Sequence, residues 1–146
     1  MIVCKRVMKT LPKRLAPRIR AAVLRTWLNG WCTARRFGSR GRSCRLGCAA
    51  GEDCLSHYLR CPVLWEFGSR HLGLQDPGNS DGRTRAALLW ETGCQQERLA
   101  QLATLVAVAY QTRNILRHRR GGPLRARQLL VQVLRELRAQ AAAGER

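Results

Sequence analysis

No Asp or Glu precedes Glu52, although residues 1–51 carry 13 Lys or Arg. A segment so purely cationic repels itself unless an anion neutralises it, and it supplies no carboxylate for acid–base work. Aromatic residues are also few, at 5%, and the apolar content is mostly Leu, Ala and Val. That shortage of Tyr, Phe, Ile and Thr argues against a β-sandwich or barrel and for helices. No apolar run is long enough to cross a bilayer: the longest, Leu102 to Tyr110, falls far short of the ~20 residues required. Nor does a secretory signal open the chain, because Lys5, Arg6 and Lys9 interrupt its first residues and no long apolar stretch follows. A membrane partner is therefore not expected, and an intracellular setting, nuclear or cytoplasmic, is. Residues 1–25 hold a single hydroxyl residue, Thr10, which counts against an organelle transit peptide. Their basic, acid-free character fits one, so targeting stays open.

What is present points to one small folded domain. The chain has 146 residues, 45% of them apolar, enough for one modest core and too apolar for a disordered basic tail. The net charge of +18 calls for a polyanion. Nucleic acid leads, because neutralising phosphates releases counterions. Of the 27 basic residues, all but Lys5, Lys9 and Lys13 are Arg. A GC-rich genome would encode Arg cheaply; planar guanidinium forks would also suit bidentate phosphate contacts and base stacking. The preference alone decides neither. Seven Cys are present, and in a reducing compartment clustered Cys more often signals metal than disulfide.

Along the chain, residues 1–16 read as a basic N-terminal arm punctuated by Pro12. Pro17 suits the first position of a helix, and Ile19, Ala22, Val23 and Trp27 form its apolar stripe up to a stop at Asn29-Gly30. An Arg- and Gly-rich connector, 31–43, leads into a cysteine cluster. Cys61-Pro62 opens a further helix, so residues 17–74 form a helix plus cysteine-rich region. Residues 75–82 are dense in turn formers and read as a loop, with Asp81 capping a helix from Arg83 to Glu91. Residues 83–146 form a helical region. Within it, 96–119 and 123–143 keep apolar faces around Gly121-Gly122-Pro123, which predicts an antiparallel αα-hairpin.

Residues 42–62, RSCRLGCAAGEDCLSHYLRCP, contain C-x3-C-x8-H-x3-C. Zinc takes four thiolate or imidazole ligands in a tetrahedron, and Cys44, Cys48, His57 and Cys61 supply them. Gly47 lets backbone amides approach the Cys44 and Cys48 thiolates. His57 and Cys61, four apart, are expected one helical turn apart on one face. Four protein ligands leave no open position, which describes one structural Zn2+ and not a catalytic one. Cys54, three before His57 on the same expected face, is a possible substitute ligand. Its other reading is a small hydrophobe behind the site. Cys4, Cys32 and Cys94 have no partner at useful spacing.

The segments TWLNGWCTARRF (26–37), RSCRLGC, GED and HYLRCP together resemble the zinc-binding region downstream of the polymerase in non-LTR (LINE-type) retrotransposon reverse transcriptases. The resemblance covers roughly residues 17–67, and the Cys-Cys-His-Cys knuckle is its most specific part. Knuckles of that family often carry x7 and x4 around the His, where this chain has x8 and x3 over an unchanged span. The resemblance implies binding of template RNA and target DNA. The polymerase itself is missing: no Tyr/Phe-x-Asp-Asp motif occurs, and Asp53, Asp76 and Asp81 are the only Asp. No two-metal site and no nucleophile–base pair stands out, and His71 and His118 are isolated. The chain is expected to be a detached, non-enzymatic fragment.

The sequence thus predicts a mainly α protein: a small helical domain around one Cys3His zinc knuckle, followed by the αα-hairpin. Its expected function is zinc-dependent binding of RNA or single-stranded DNA, dominated by phosphate and weak in sequence preference. Arg35, Arg36, Arg40, Arg42, Arg45 and Arg60 are the expected contacts, with Trp31 and Phe37 as stacking platforms. Packing against helix 17–28 is the other role open to both aromatics. A second basic cluster, Arg113, Arg117, Arg119, Arg120, Arg125 and Arg127, surrounds the hairpin turn. Two alternatives remain: a zinc-stapled module docking a protein partner through the C-terminal helices, and a retroelement relic without selected function.

Overall fold

The computed structural model describes residues 2–13, 15–91, 93, 95–118 and 122–144. The order is α1 (Ile2–Thr10), α2 (Pro17–Trp27), a 3-10 turn (Arg35–Phe37), α3 (Leu55–Tyr58), α4 (Pro62–Leu72), α5 (Ser80–Ala87), α6 (Gln96–Arg117) and α7 (Pro123–Gly144). Among the described residues there is no strand; one antiparallel bridge joins Ser43 to Glu52. The mainly helical expectation therefore holds.

Helix α6 organises the core. Its 22 residues span about 33 Å. From Leu102 to Ala109 all but Thr104 are buried, so the helix is covered all round and not along one stripe. Helices α2 and α7 lie along it most extensively, and α4 and α5 also pack against it. The start of α7 lies near the end of α6, where Pro123 and Leu116 line one cleft. The end of α7 lies near the start of α6, where Ala141 and Leu137 meet Glu97 and Ala100. The two helices are thus antiparallel, as expected. Gly121, Arg119 and Arg120 of the turn, and Cys94, lie outside the described residues.

Helix α2 starts with Pro17 in its first turn and buries Ile19, Ala22, Val23 and Thr26. Trp27, expected in that stripe, is half-buried and donates its indole N–H to the Leu88 carbonyl (2.9 Å), tying α2 to the end of α5. Asn29 takes φ +49, the left-handed stop its position implied.

Two boundaries differ from expectation. The described part of the expected basic N-terminal arm is packed on the domain: residues 2–10 are helical, and Leu11 and Ala16 are each 2% exposed in the core. The Arg20 guanidinium donates to the carbonyls of Met8, Leu11 and Pro12, and Gln96 Nε2 to that of Thr10, so the Met8 and Thr10 carbonyls at the end of α1 have tertiary partners. Helix α5 is capped by Asn79 and not by Asp81: the Asn79 side chain accepts from the Gly82 N–H at 2.7 Å. The preceding turn places it there, because Asp76 accepts from the Gly78 N–H and grips Arg83 through Nε (2.7 Å) and Nη2 (2.5 Å).

Candidate metal centre

The cysteine-rich segment folds as a short hairpin followed by two helical starts. The Cys44 N–H donates to the Gly51 carbonyl (2.8 Å) and the Asp53 N–H to the Arg42 carbonyl (2.7 Å), flanking the Ser43–Glu52 bridge. Gly47, at φ +82, turns the chain between Cys44 and Cys48 and presses its backbone against Pro123, where a Cβ would lie 2.6 Å away. His57 sits in the single turn of α3, and Cys61 is the residue before α4. The turn expected to join them closes with 3-10 geometry: the Arg60 and Cys61 N–H groups donate to His57 and Tyr58 carbonyls. His57 and Cys61 are therefore not two positions on one α-helix, because Pro62 starts a new one.

This arrangement brings Cys44, His57 and Cys61 together, with their ligand atoms within 4.8 Å of one another. The two sulfurs are 3.9 Å apart. All three residues are buried: Cys44 at 5%, Cys61 at 0% and His57 at 8% exposure. The imidazole Nε2 is buried without a hydrogen-bond partner, a costly state unless something ligates it. The Gly51 backbone lies so close beneath the ring that a Cβ there would come within 2.0 Å of Nδ1 and Cε1. Two buried thiols and a buried imidazole whose Nε2 is unpartnered can hold a metal ion. Hydrogen bonding with Cys61, then His57, outweighs burial and holds the Cys44 thiol well below its usual range. The same pairing with Cys44, then burial, pushes the Cys61 thiol up.

Cys48 is buried beside this group but outside the 4.8 Å trio, and its sulfur accepts from the Ala50 N–H at 3.4 Å. Cys54 points elsewhere. It precedes α3 with extended backbone, φ −140° and ψ 153°, so it does not share a helical face with His57. Its sulfur pairs with Ser56 Oγ at 3.3 Å, and it lines a cleft with Thr26, Thr33 and Arg36.

Beneath the metal group lies a buried ion pair. The Asp53 carboxylate accepts from the Ala34 N–H (3.0 Å), the Tyr58 hydroxyl (2.8 Å), Arg113 Nε (3.1 Å) and Arg113 Nη2 (2.8 Å). Burial raises its pKa, but the bonds from Arg113, Tyr58 and Ala34 prevail and hold it below the ordinary carboxylate range. Burial, with the Asp53 charge, pushes the Tyr58 hydroxyl up. Arg113, counted in sequence with the basic cluster around the hairpin turn, is 2% exposed. It falls one turn beyond Ala109 on the apolar face of α6, and an Arg on a buried face requires a buried acid.

The expected nucleic-acid contacts divide. Arg35, Arg36, Arg40, Arg42 and Arg60 are exposed. Arg35 pairs with Glu52 at 3.0 Å, and Arg36 donates to the Asn29 carbonyl. Arg45 is half-buried, its Nε 4.0 Å from Asp53. Trp31 is 1% exposed, donates to Thr26 Oγ1 (2.9 Å) and packs 5.5 Å from the Tyr58 ring and 5.4 Å from Tyr110. Burial removes it as a stacking platform: the ring takes the packing role against α2. Phe37 is 64% exposed. In the second cluster Arg117, Arg125 and Arg127 are exposed.

No protein-family model, curated protein or solved structure matches the chain. Among the described residues no helix is long and apolar enough to cross a membrane.

Proposed function

We propose that the chain is a zinc-stapled, non-enzymatic module that binds RNA or single-stranded DNA, mainly through phosphate. One Zn2+ is held by Cys44, His57 and Cys61, with Cys48 as fourth ligand. When bound it supplies cross-linking of the hairpin to α3 and α4, and no chemistry on a substrate. The observation that carries the reading is the exposure of Arg35, Arg36, Arg40 and Arg42 on a loop that the buried Cys and His residues anchor. Arg60 joins them at the end of α3. This reading agrees with the resemblance to the zinc-binding region of non-LTR retrotransposon reverse transcriptases, detached from its polymerase.

For single strands the slope of log affinity against log salt is about −0.7 per neutralised phosphate. Five engaged Arg imply a slope of about −3.5. The Arg40→Glu/Arg42→Glu variant of the zinc-loaded chain is expected to lose most affinity for a single-stranded oligonucleotide while keeping its metal. Arg18→Glu/Arg138→Glu, an equal charge change near the other end of α7, is expected to lose little. Equal losses from both variants, with heparin competing as well as any oligonucleotide, would reduce the binding to net charge. A zinc-stapled protein-docking module would then replace the proposed reading.

A further inference from the structure

One member of the second basic cluster, Arg117, meets the loop of the first, far from it in sequence. The Arg117 guanidinium carbon, at the end of α6, lies 5.9 Å from the centroid of the Phe37 ring. Phe37 ends the 3-10 turn and is followed by Gly38 at φ +78. With 64% of its surface in water, this ring is among the most exposed large apolar side chains of the fold. Arg35, Arg36 and Arg40 are exposed on the same short loop, where Arg35 pairs with Glu52.

Both members of the pair hang from one buried residue. Asp53 accepts the Ala34 N–H with its carboxylate and the Arg35 N–H with its backbone carbonyl (3.3 Å), which anchors the 3-10 turn. The same carboxylate grips Arg113, one helical turn before Arg117. The ring and the guanidinium are therefore positioned by a common brace, so less ordering cost falls on a ligand that engages both.

We propose that Phe37 and Arg117 form a binding site for one unpaired base of a single-stranded nucleic acid. The base stacks on the Phe37 ring while Arg117 and the loop arginines meet the adjoining phosphates. The proposal rests on the nucleic-acid reading above and gives it a base-contacting centre. An exposed aromatic ring framed by cations matches a ligand with a π face and flanking negative charge. Because every base has such a face, the site is tolerant of sequence.

The test compares the zinc-loaded full chain with two strands of equal length and charge, an oligothymidylate and its abasic counterpart. Phe37→Ala is expected to weaken oligothymidylate binding by about five- to 150-fold, the span of single base–aromatic stacks. Affinity for the abasic strand and metal content should stay unchanged, and Phe37→Trp should restore the oligothymidylate affinity. Arg117→Gln is expected to weaken both strands, since its charge meets phosphate. If Phe37→Ala leaves oligothymidylate affinity unchanged, or weakens both strands alike, the base site is refuted while phosphate binding stands. If the wild-type chain binds neither strand, the nucleic-acid reading fails with it.

Discussion

Replacing Arg113 by Met should be among the most damaging single changes in this protein. The substitution keeps an unbranched side chain of similar length but removes two of the four hydrogen bonds that the Asp53 carboxylate accepts and the closer of its two countercharges among the described residues, leaving the half-buried Arg45 with its Nε 4.0 Å away. The pair is 2% and 0% exposed, so water does not screen the carboxylate that Arg113 leaves behind. Breaking such a pair from one side costs ~3–5 kcal/mol, a large part of the ~5–15 kcal/mol that holds a domain together. With a urea slope of about 2 kcal/mol/M, the midpoint followed by circular dichroism should fall by roughly 2 M. Removing both charges, as Asp53→Leu/Arg113→Met, should recover part of the loss. The recovery is incomplete because the Tyr58 hydroxyl and Ala34 N–H lose their acceptor, at ~1–3 kcal/mol each. Acid supplies an independent check. A carboxyl held below its usual range stabilises fully above its unfolded value of about 3.9, and the contribution disappears as pH falls through the folded value. The stability difference between wild type and Asp53→Asn should shrink over that window. A midpoint shift under about 0.5 M for Arg113→Met, or a double variant no better than the single, would refute the brace.

Two further outcomes concern the metal. Gly51→Ala places a methyl group where the imidazole lies, so the ring must move, and metal affinity measured by chelator competition should drop by about 10–100-fold. Unchanged affinity would remove His57 from the ligand set. By native mass spectrometry, His57→Ala should arrive largely metal-free while Cys54→Ser keeps its ion, since the Cys54 sulfur pairs with Ser56 away from the group. If Cys54→Ser loses metal as readily as Cys44→Ser, a different set of four ligands is in use.

The helix starts at Pro17, Pro62 and Pro123 were legible because a proline at the first helical position acts through local geometry alone. So was the stop at Asn29, which needs only a residue tolerant of positive φ. Where two local signals compete, sequence does not arbitrate: Asn79 and Asp81 both cap well, and the Asp76–Arg83 contact that brackets the turn favours Asn79. Helix α1 was illegible for a related reason, since its end is satisfied by Arg20 and Gln96 from other helices. At the metal group the residue types pointed to His57 and Cys61 together. The helical register assumed for them was wrong, because a ligand pattern specifies which side chains converge and not the backbone that carries them. Arg113 was misassigned because a basic residue near a helix end reads as surface charge until its position on the buried stripe is counted.

Asp53 explains why these parts behave as one unit. Its neighbour Glu52 closes the hairpin that carries Cys44, and its carboxylate takes the Tyr58 hydroxyl beside His57. Tyr58 in turn accepts the Arg45 N–H within the cysteine loop and packs on Trp31, which packs on Tyr110 of α6. Loop, metal group and central helix thus share one contiguous buried network. If the proposed ion is lost, the hairpin is expected to loosen, and with it Asp53, the 3-10 turn bearing Phe37 and the register of Arg117. On the proposed reading, a structural ion would act on the exposed surface without touching it, by setting how closely the cations and the ring are held to the spacing of a strand.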